Sequence, residues 1–234
     1  MIICCLQVIF CASAQNSFPD VGAINKDNIN SYLKTANTHS VIYSGKVEPR
    51  YKVTSVNHPY LETDEFRTGV LSFDGRIYTD VSIRLNQHTE ELAILSPGKN
   101  FSVLVQRDNI DYAIINSLLI VYSKPESADG LFMPEGYYVR LYNGDCQVWK
   151  RDTYVLFKRT NHTIWEYFFK KSSKIYVYKD GIYYPVKNNR SLLKVFKDKK
   201  KELKNMIKEQ RLDYERSSEK NIVTIAGFYD NLSK

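Results

Sequence analysis

Three short turn sequences limit the fold of this chain more than any other feature. Asp74-Gly75, Asn143-Gly144 and Asp180-Gly181 each separate two runs of alternating or continuous apolar and aromatic residues. Aspartate, asparagine and glycine accept the positive backbone φ angles that two-residue turns between antiparallel strands require. Each dipeptide therefore predicts a β-hairpin, and three hairpins in one chain predict a mainly β protein.

The segments between these hairpins are typical of further short strands. No helical pattern separates one such strand from the next. The 18 Tyr and 11 Phe of the chain suit half-buried sheet faces, where a ring packs and a hydroxyl stays wet. The additional strands expected are 81–85, 92–94, 101–105, 111–115, 118–122, 154–157 and 165–169.

The order of these strands indicates how they are connected. Consecutive strands with tight turns imply antiparallel meanders rather than parallel strands joined by helices. The turns recur at unequal spacings, which disfavours a propeller or a solenoid. We therefore expect a β domain over residues 41–189 whose sheets form either a sandwich or a half-barrel. If that domain contains two sheets, the turn-rich loop 123–134 is the expected boundary.

The carboxy-terminal part, residues 190–234, changes from strand patterns to helix patterns. Ser191 can cap one amphipathic helix and Ser218 a second, because a serine hydroxyl accepts a hydrogen bond from a free N–H of the first turn. Isolated helices of this length are marginal in water, so we expect both to pack on the sheet. The apolar stripes comprise Leu192, Phe196, Leu203 and Ile207 in the first helix, and Ile222, Ile225, Ala226 and Tyr229 in the second.

The basic charge of the chain is concentrated in the same part. The net charge is +7, and residues 190–220 contain eleven Lys or Arg against six Asp or Glu. We expect most of these lysines to form the solvated outer face of the first helix, since Glu202 is interleaved with them. The alternative is contact with anionic lipid headgroups or lipopolysaccharide phosphate. The candidate residues for that contact are Lys199, Lys200, Lys201 and Lys204.

The amino terminus indicates export. Residues 1–10 are nearly all apolar and lead to Ala12-Ser13-Ala14, the small-residue pattern that a signal peptidase accepts. We expect a signal peptide over residues 1–14, a mature chain that starts at Gln15, and a polar, partly helical segment over residues 15–40. A buried amino-terminal strand is the alternative. Export to the periplasm, the outer membrane or the exterior also argues against a nucleic-acid partner.

Cys146 is the single cysteine that remains after removal of the expected signal peptide, so the mature chain can form no internal disulfide. It alternates with Val148 on one face of a predicted strand, and no neighbouring His or Lys would lower the pKa of its thiol. We therefore expect a buried, unreactive thiol and a fold held together by its hydrophobic core.

Residues that could carry chemistry form no recognisable constellation. The histidines stand apart, no cysteine pair has metal-ligand spacing, and no phosphate-binding loop or Gly-x-Ser-x-Gly sequence occurs. Glu90, Glu91, Asp108 and Asp111 could in principle supply the paired carboxylates of a glycoside hydrolase, but nothing in the sequence positions them. We therefore expect no catalytic, metal or cofactor site, and a secreted hydrolase is the least favoured function. The histidines are His39, His58, His88 and His162.

Two stretches of the chain carry a family resemblance. The first, residues 66–85, has the sequence FRTGVLSFDGRIYTDVSIRL. The second is the hairpin at 180–186, followed by Ser191-Leu192-Leu193 at the start of the Lys-rich helix and by Tyr229-Asp230-Asn231-Leu232. Together they resemble segments of exported β-rich proteins of Bacteroidota. The resemblance implies an envelope location and a β fold, but no activity and no catalytic residue.

Two functions fit these expectations. In the first, the chain is a non-catalytic module of the cell envelope that docks on an outer-membrane or periplasmic protein through exposed aromatic strands or the basic helix. In the alternative, a half-barrel carries a lipid or another hydrophobic ligand, with the carboxy-terminal helices as a lid. A carrier needs a large continuous apolar cavity, whereas a docking module needs a filled core and an exposed apolar patch.

Overall fold

The computed structural model describes residues 39–98, 100–124, 133–161, 164–212 and 219–232, which all belong to one compact unit, Asn37–Lys234. The expected signal peptide, the start at Gln15 and the polar segment up to residue 38 lie outside the described residues. The strands are β1 (Arg67–Phe73), β2 (Arg76–Asn86), β3 (Glu91–Leu95), β4 (Ser102–Leu104), β5 (Ile110–Ile115), β6 (Leu118–Ser123), β7 (Gly136–Asn143), β8 (Gln147–Asn161), β9 (Ile164–Lys179) and β10 (Ile182–Val186). The helices are α1 (His39–Ile42), α2 (Asn189–Val195), α3 (Lys200–Glu209) and α4 (Glu219–Leu232), with 3₁₀ turns at Arg107–Asn109 and Lys197–Lys199.

All ten strands belong to one antiparallel sheet that has β10 and β4 at its two edges. Its order is β10-β9-β8-β7-β6-β5-β1-β2-β3-β4, so two meanders, β1–β4 and β5–β10, meet where β5 pairs with β1. The mainly β, antiparallel class expected from the sequence is confirmed. The sheet also continues across the loop at 123–134, because β6 and β7 on either side of it pair with each other.

Two of the three predicted turns have the expected backbone. Asp74 and Gly75 have φ angles of 53° and 70°, and Asp180 and Gly181 have φ angles of 52° and 82°. Positive φ at both central residues gives the turn the twist of the strands that it joins. These dipeptides therefore close the hairpins β1–β2 and β9–β10.

The turn between β7 and β8 differs from its prediction. Asn143 pairs with Gln147, so the turn has three residues rather than two, and the predicted two-residue turn is wrong. Asp230 of α4 reaches this turn, where its Oδ1 accepts the Cys146 N–H at 3.1 Å. A Cβ on Gly144 would lie 1.9 Å from Asp230 Oδ2, so glycine is needed here for close approach rather than for positive φ.

Strands β8 and β9 are much longer than predicted. Each is continuous, with 15 and 16 residues, although the sequence predicted two short strands in each. Their middle parts, 150–153 and 170–174, consist of Lys, Arg, Asp, Ser and Thr, so the apolar alternation is interrupted there. All of these residues nevertheless pair in register across the two strands, from Lys150 opposite Ile175 to Val155 opposite Lys170.

The first carboxy-terminal helix is divided into two. α2 ends at Val195, Phe196 leaves the helical region with φ −93° and ψ 45°, and α3 begins after a 3₁₀ turn. Its cap is Asn188 rather than Ser191, which corrects the prediction. Asn188 Oδ1 accepts the Ser191 N–H, and Ser191 Oγ accepts the Asn188 N–H, both at 3.0 Å. This reciprocal capping box starts the helix earlier than expected.

Helices α2, α3 and α4 cover one face of the sheet at β7–β10. Their apolar side chains form one buried cluster with Val148, Val177 and Val186. Phe196 is fully buried and stacks on Tyr229 with ring centroids 4.0 Å apart. Every residue of both predicted apolar stripes is buried, as amphipathic helices on a sheet require. None of the described helices is long and apolar enough to cross a membrane.

Candidate interaction surface

Strands β8 and β9 extend well beyond the rest of the sheet. β7 pairs with β8 only as far as Lys150, and β10 pairs with β9 only from Ile175 onward. Over the remainder of their length, the two strands form ladders only with each other within the described part of the chain. Each strand residue advances the backbone by about 3.4 Å, so this part is roughly 30 Å long. Its residues 151–160 and 165–174 are called the ribbon below.

Two loops brace the middle of the ribbon. On the β9 edge, the Phe169 N–H donates to Asn57 Oδ1 at 2.7 Å, and Asn57 Nδ2 donates to the Phe169 carbonyl at 2.9 Å. On the β8 edge, the Tyr154 N–H donates to the Gln87 carbonyl at 3.2 Å. Phe169 is 3% exposed and packs edge-on against His88. These contacts hold the ribbon in a defined direction relative to the sheet.

The ribbon carries exposed apolar side chains from its middle to the end next to the β8–β9 turn. Trp165, Val155 and Phe157 are 58%, 53% and 42% exposed. Val56, which is 68% exposed, lies next to them because its N–H donates to the Tyr167 carbonyl at 2.9 Å. These four are the majority of the seven large apolar side chains that are strongly exposed in the described residues. Such a concentration of exposed apolar surface indicates an interaction site.

The apolar side chains lie on both faces of the ribbon. Successive strand residues point to opposite faces, and residues opposite each other in the ladder share a face. Phe157 and Phe168 are opposite each other, and their rings stack with centroids 5.8 Å apart. Trp165 and Tyr167 have the other parity and lie on the second face. Neither face of the ribbon is therefore a purely polar one.

Basic side chains are interspersed with these rings. The ribbon contains six Lys or Arg and two Asp or Glu. The Lys158 ammonium lies 3.8 Å from the centroid of the Trp165 ring, which is a close cation–π contact. Both acidic residues are ion-paired with cations of the ribbon, for example Asp152 with Lys171 at 2.8 Å. The charge that remains is therefore positive.

Asp152 connects the ribbon to the helices. It is 5% exposed, and its carboxylate contacts Lys171 at 2.8 Å, Lys150 at 3.2 Å and the Ser173 hydroxyl at 2.6 Å. Lys150 also contacts Glu219, the first residue of α4, at 2.6 Å. Burial lowers the pKa of Lys150, but its interactions with Glu219 and Asp152 raise that pKa by more. Lys150 therefore stays protonated in the bridge between ribbon and helix.

The lysines predicted as an anionic contact lie in and just before α3. Lys200, Lys201 and Lys204 are exposed, and Lys199 is half-buried. The opposite face of α3 is buried and includes Leu203, so the lysines form the solvated outer face of an amphipathic helix. An anionic contact at these residues stays a prediction.

The carboxylates considered for glycoside hydrolysis have separate structural partners. Glu90 accepts hydrogen bonds from Arg151 Nη2 at 2.7 and 2.9 Å, one to each oxygen. Asp111 Oδ2 accepts the Ser72 hydroxyl at 2.8 Å and the Gly75 N–H at 3.0 Å, which fixes the β1–β2 turn. The other two lie in β3 and in the first 3₁₀ turn. Within the described ranges, no group of three side chains could hold a metal ion.

The two histidines whose side chains are described contact the backbone. His88 Nδ1 lies 2.7 Å from the Tyr154 carbonyl, in the brace of the ribbon. His58 Nδ1 accepts the Tyr60 N–H at 3.3 Å, and the two rings stack with centroids 6.2 Å apart. Both contacts are with the backbone of the fold itself. The side chains of His39 and His162 lie outside the described part.

Cys146 is buried, as expected, with 1% of its surface exposed. Its Sγ lies 3.8 Å from the Ala226 carbonyl of α4. Burial, together with the nearby Asp230 carboxylate, raises the pKa of the Cys146 thiol well above its ordinary value. The thiol therefore stays protonated near neutral pH, which makes it a poor nucleophile.

A cleft of about 460 Å³ lies beside β4 and the first 3₁₀ turn. Its lining combines the apolar side chain of Leu104 with Lys46, Glu91, Arg107 and Tyr137. The Arg107 guanidinium is occupied, since its Nη2 donates to the Glu90 carbonyl at 2.6 Å and its Nη1 donates to a tyrosine hydroxyl. This mixed lining differs from the continuous apolar lining that a lipid carrier needs.

Exposed aromatic strands were expected from the sequence, but their position was not. The signal that could have located them is a mostly apolar and aromatic run followed directly by two basic residues, which occurs in both 154–159 and 165–171, on either side of one turn. Such a strand keeps apolar surface next to charge. Core strands of the same sheet, such as β3, are largely apolar instead.

Comparison of this chain with protein-family models, with curated proteins and with solved structures gives no match. The resemblance to exported β-rich proteins of Bacteroidota therefore stays a prediction.

Proposed function

We propose that this chain is a non-catalytic binding module of the cell envelope and that the ribbon is its contact surface. The observation that carries this proposal is the exposure of Val155, Phe157 and Trp165 on a protruding pair of strands. Complete burial of an apolar side chain of this size contributes about 1.5–3 kcal/mol, so covering the exposed half of one contributes roughly half as much. Several such side chains close together form a surface that gains free energy when a partner covers it.

The bracing of the ribbon supports the same proposal. Asn57 and Gln87 hold its backbone from opposite edges, and Asp152 is fixed by three donors. A surface that is already ordered loses little conformational entropy on binding. The ribbon is therefore preorganised for binding.

The alternatives receive less support from the geometry. The cleft next to Arg107 has a mixed, partly charged lining, which does not favour a carrier of hydrophobic ligands. The carboxylates Glu90 and Asp111 are engaged with Arg151 and with the β1–β2 turn, which does not favour a hydrolase. The envelope location is proposed from the signal-peptide pattern over residues 1–14 and from the resemblance described above.

The proposal is tested by removing the apolar side chains of the ribbon together. A V155S/F157S/W165S variant should bind isolated envelope membranes at least about ten-fold more weakly, because tenfold corresponds to only 1.4 kcal/mol. The matched control is V47S/F101S, which changes side chains that are 65% and 49% exposed in another part of the sheet. Both variants should unfold near the wild-type midpoint. Unchanged membrane association of the ribbon variant would refute the proposal.

A further inference from the structure

We infer that the partner of the ribbon is the surface of an anionic phospholipid bilayer. This inference rests on the proposed function, since it identifies what the ribbon contacts. Its first support is that both faces of the ribbon carry rings at the same end, Phe157 and Phe168 on one face and Trp165 and Tyr167 on the other. A protein partner usually covers one face of a two-stranded ribbon, whereas a bilayer surrounds the end that enters it.

The pairing of rings with cations is the second support. Lys158 sits on the Trp165 ring at 3.8 Å, and Lys170 lies 5.8 Å from the Phe157 centroid. Tryptophan at the level of the headgroups and lysine that extends toward phosphate are typical of side chains at a membrane surface. Each pair joins diagonal neighbours of the ladder, so an ammonium group lies within two residues of an apolar ring along the ribbon.

Charge complementarity is the third support. Lys158, Lys170 and Lys174 are all exposed, and no ion pair involves them among the described residues. The two acidic groups of the ribbon are already paired with other cations. Lys158 and Lys170 lie beside Trp165 and Phe157, and Lys174 adds positive charge nearer the sheet. Unpaired ammonium groups beside apolar rings attract a surface that is negative and has an apolar interior, which is what an anionic bilayer offers.

The dimensions of the ribbon fit shallow insertion. From Val155 to Thr160 the strand advances about 17 Å, at about 3.4 Å a residue. Apolar faces that lie in a membrane surface enter it by about 5–10 Å. Counted from the rung of Thr160 and Trp165, the rings of Trp165 and Tyr167 lie within that depth and can reach the boundary between headgroups and acyl chains. Val155 and Phe169, the residue that Asn57 holds, remain outside.

The first test uses the two tryptophans of the chain as reporters. Trp149 is 1% exposed in the sheet, whereas Trp165 is 58% exposed on the ribbon. The purified full chain is mixed with vesicles of phosphatidylglycerol and phosphatidylcholine, or of phosphatidylcholine alone. Tryptophan emission should shift to shorter wavelength, and brominated acyl chains should quench it, with the anionic vesicles only. A W165F variant should still bind but show neither change.

The second test separates the ribbon from net charge. K158Q/K170Q/K174Q should bind anionic vesicles at least about ten-fold more weakly, and wild-type binding should weaken as salt is raised. The matched control, K200Q/K201Q/K204Q, removes the same charge from α3 and should bind as the wild type does. Circular dichroism confirms that both variants are folded. If the α3 variant loses binding and the ribbon variant does not, the inference is overturned.

The outcomes also separate this inference from the function on which it rests. If V155S/F157S/W165S loses envelope binding but the wild type does not bind anionic vesicles, the ribbon is a contact surface for a protein and the lipid inference fails. Protease treatment of the membranes would then abolish wild-type binding. If the ribbon variant keeps envelope binding, the proposed function fails as well. Binding to anionic vesicles that depends on the three ribbon lysines, with emission changes that depend on Trp165, supports both.

Discussion

Replacing Phe196 by alanine should lower the free energy of unfolding by about 4–5 kcal/mol. Phe196 has no exposed surface and lies at the junction between α2 and the following 3₁₀ turn. Truncation of a buried phenylalanine to alanine costs about 3–5 kcal/mol, through lost apolar burial and the cavity left behind. The ring also stacks on Tyr229 at 4.0 Å, and such a pair contributes about 0.5–1.5 kcal/mol more. These contributions place the expected loss in the upper part of the range.

The measurement is urea unfolding followed by circular dichroism, with Phe101→Ala as the control. Phe101 is 49% exposed, so the same chemical change there should cost less than about 1 kcal/mol. A loss below about 2 kcal/mol for Phe196→Ala would contradict the packing of the helices on β7–β10. If the free energy of unfolding depended less steeply on urea concentration and a weak second transition appeared, the helices would be unfolding separately from the sheet.

Three further predictions concern smaller parts of the molecule. Cys146→Ser should cost at most about 1–2 kcal/mol in urea unfolding, since little volume is lost, and a loss of envelope binding at unchanged stability would show a chemical role for the thiol. Asp230→Ala should cost about 2–3 kcal/mol by the same assay, because it leaves the buried Cys146 N–H without its acceptor. The neighbouring residue Asn231 is exposed, so Asn231→Ala should change stability little. Burial raises the pKa of Asp198, but hydrogen bonds from Lys179 and a tyrosine hydroxyl lower it by more, so the net shift is downward. Because this pKa is lower in the folded state, ionised Asp198 stabilises the fold above about pH 4, and that stabilisation is lost as the pH falls below this value. Asp198→Asn should therefore flatten the acid side of a plot of stability against pH. An unchanged acid side would contradict this assignment.

Features decided by neighbouring residues could be predicted from the sequence. The turns at Asp74-Gly75 and Asp180-Gly181 depend on backbone angles that few residues accept, so two residues and their apolar flanks are sufficient evidence. The apolar stripes of the helices could be identified for the same reason, because their period is a local property. The position of each strand in the sheet is a different kind of information, since it depends on pairing between distant residues.

Features decided by distant residues could not be predicted. The turn after Asn143 has three residues and is held by Asp230, which lies 84 positions beyond Cys146 in the chain. Phe196, at which the first helix divides, stacks on Tyr229 of a separate helix. Nothing next to either residue in the sequence signals these contacts.

The candidate surface shows the same limit. An alternation such as Val155 and Phe157 is typical of a half-buried strand, and the sequence does not show whether a neighbouring strand or helix covers that face. Exposure of these side chains follows from β7 and β10 ending near Lys150 and Ile175, which only the ladder reveals. The lysines of α3 were easier to recognise than the ribbon because they are contiguous in the sequence.

The order of the strands has a consequence for how the chain folds. Every neighbouring pair of strands in the sheet is consecutive in sequence except β1 and β5. Each meander can therefore form by closing short loops, whereas pairing of β1 with β5 requires closure of a longer loop. Gly69 marks this joint, where a Cβ would lie 2.2 Å from the Ile114 carbonyl. We therefore expect a folding rate limited by closure of the β1–β5 seam. In native-state hydrogen exchange, the amides of that seam should open together, leaving each meander protected on its own.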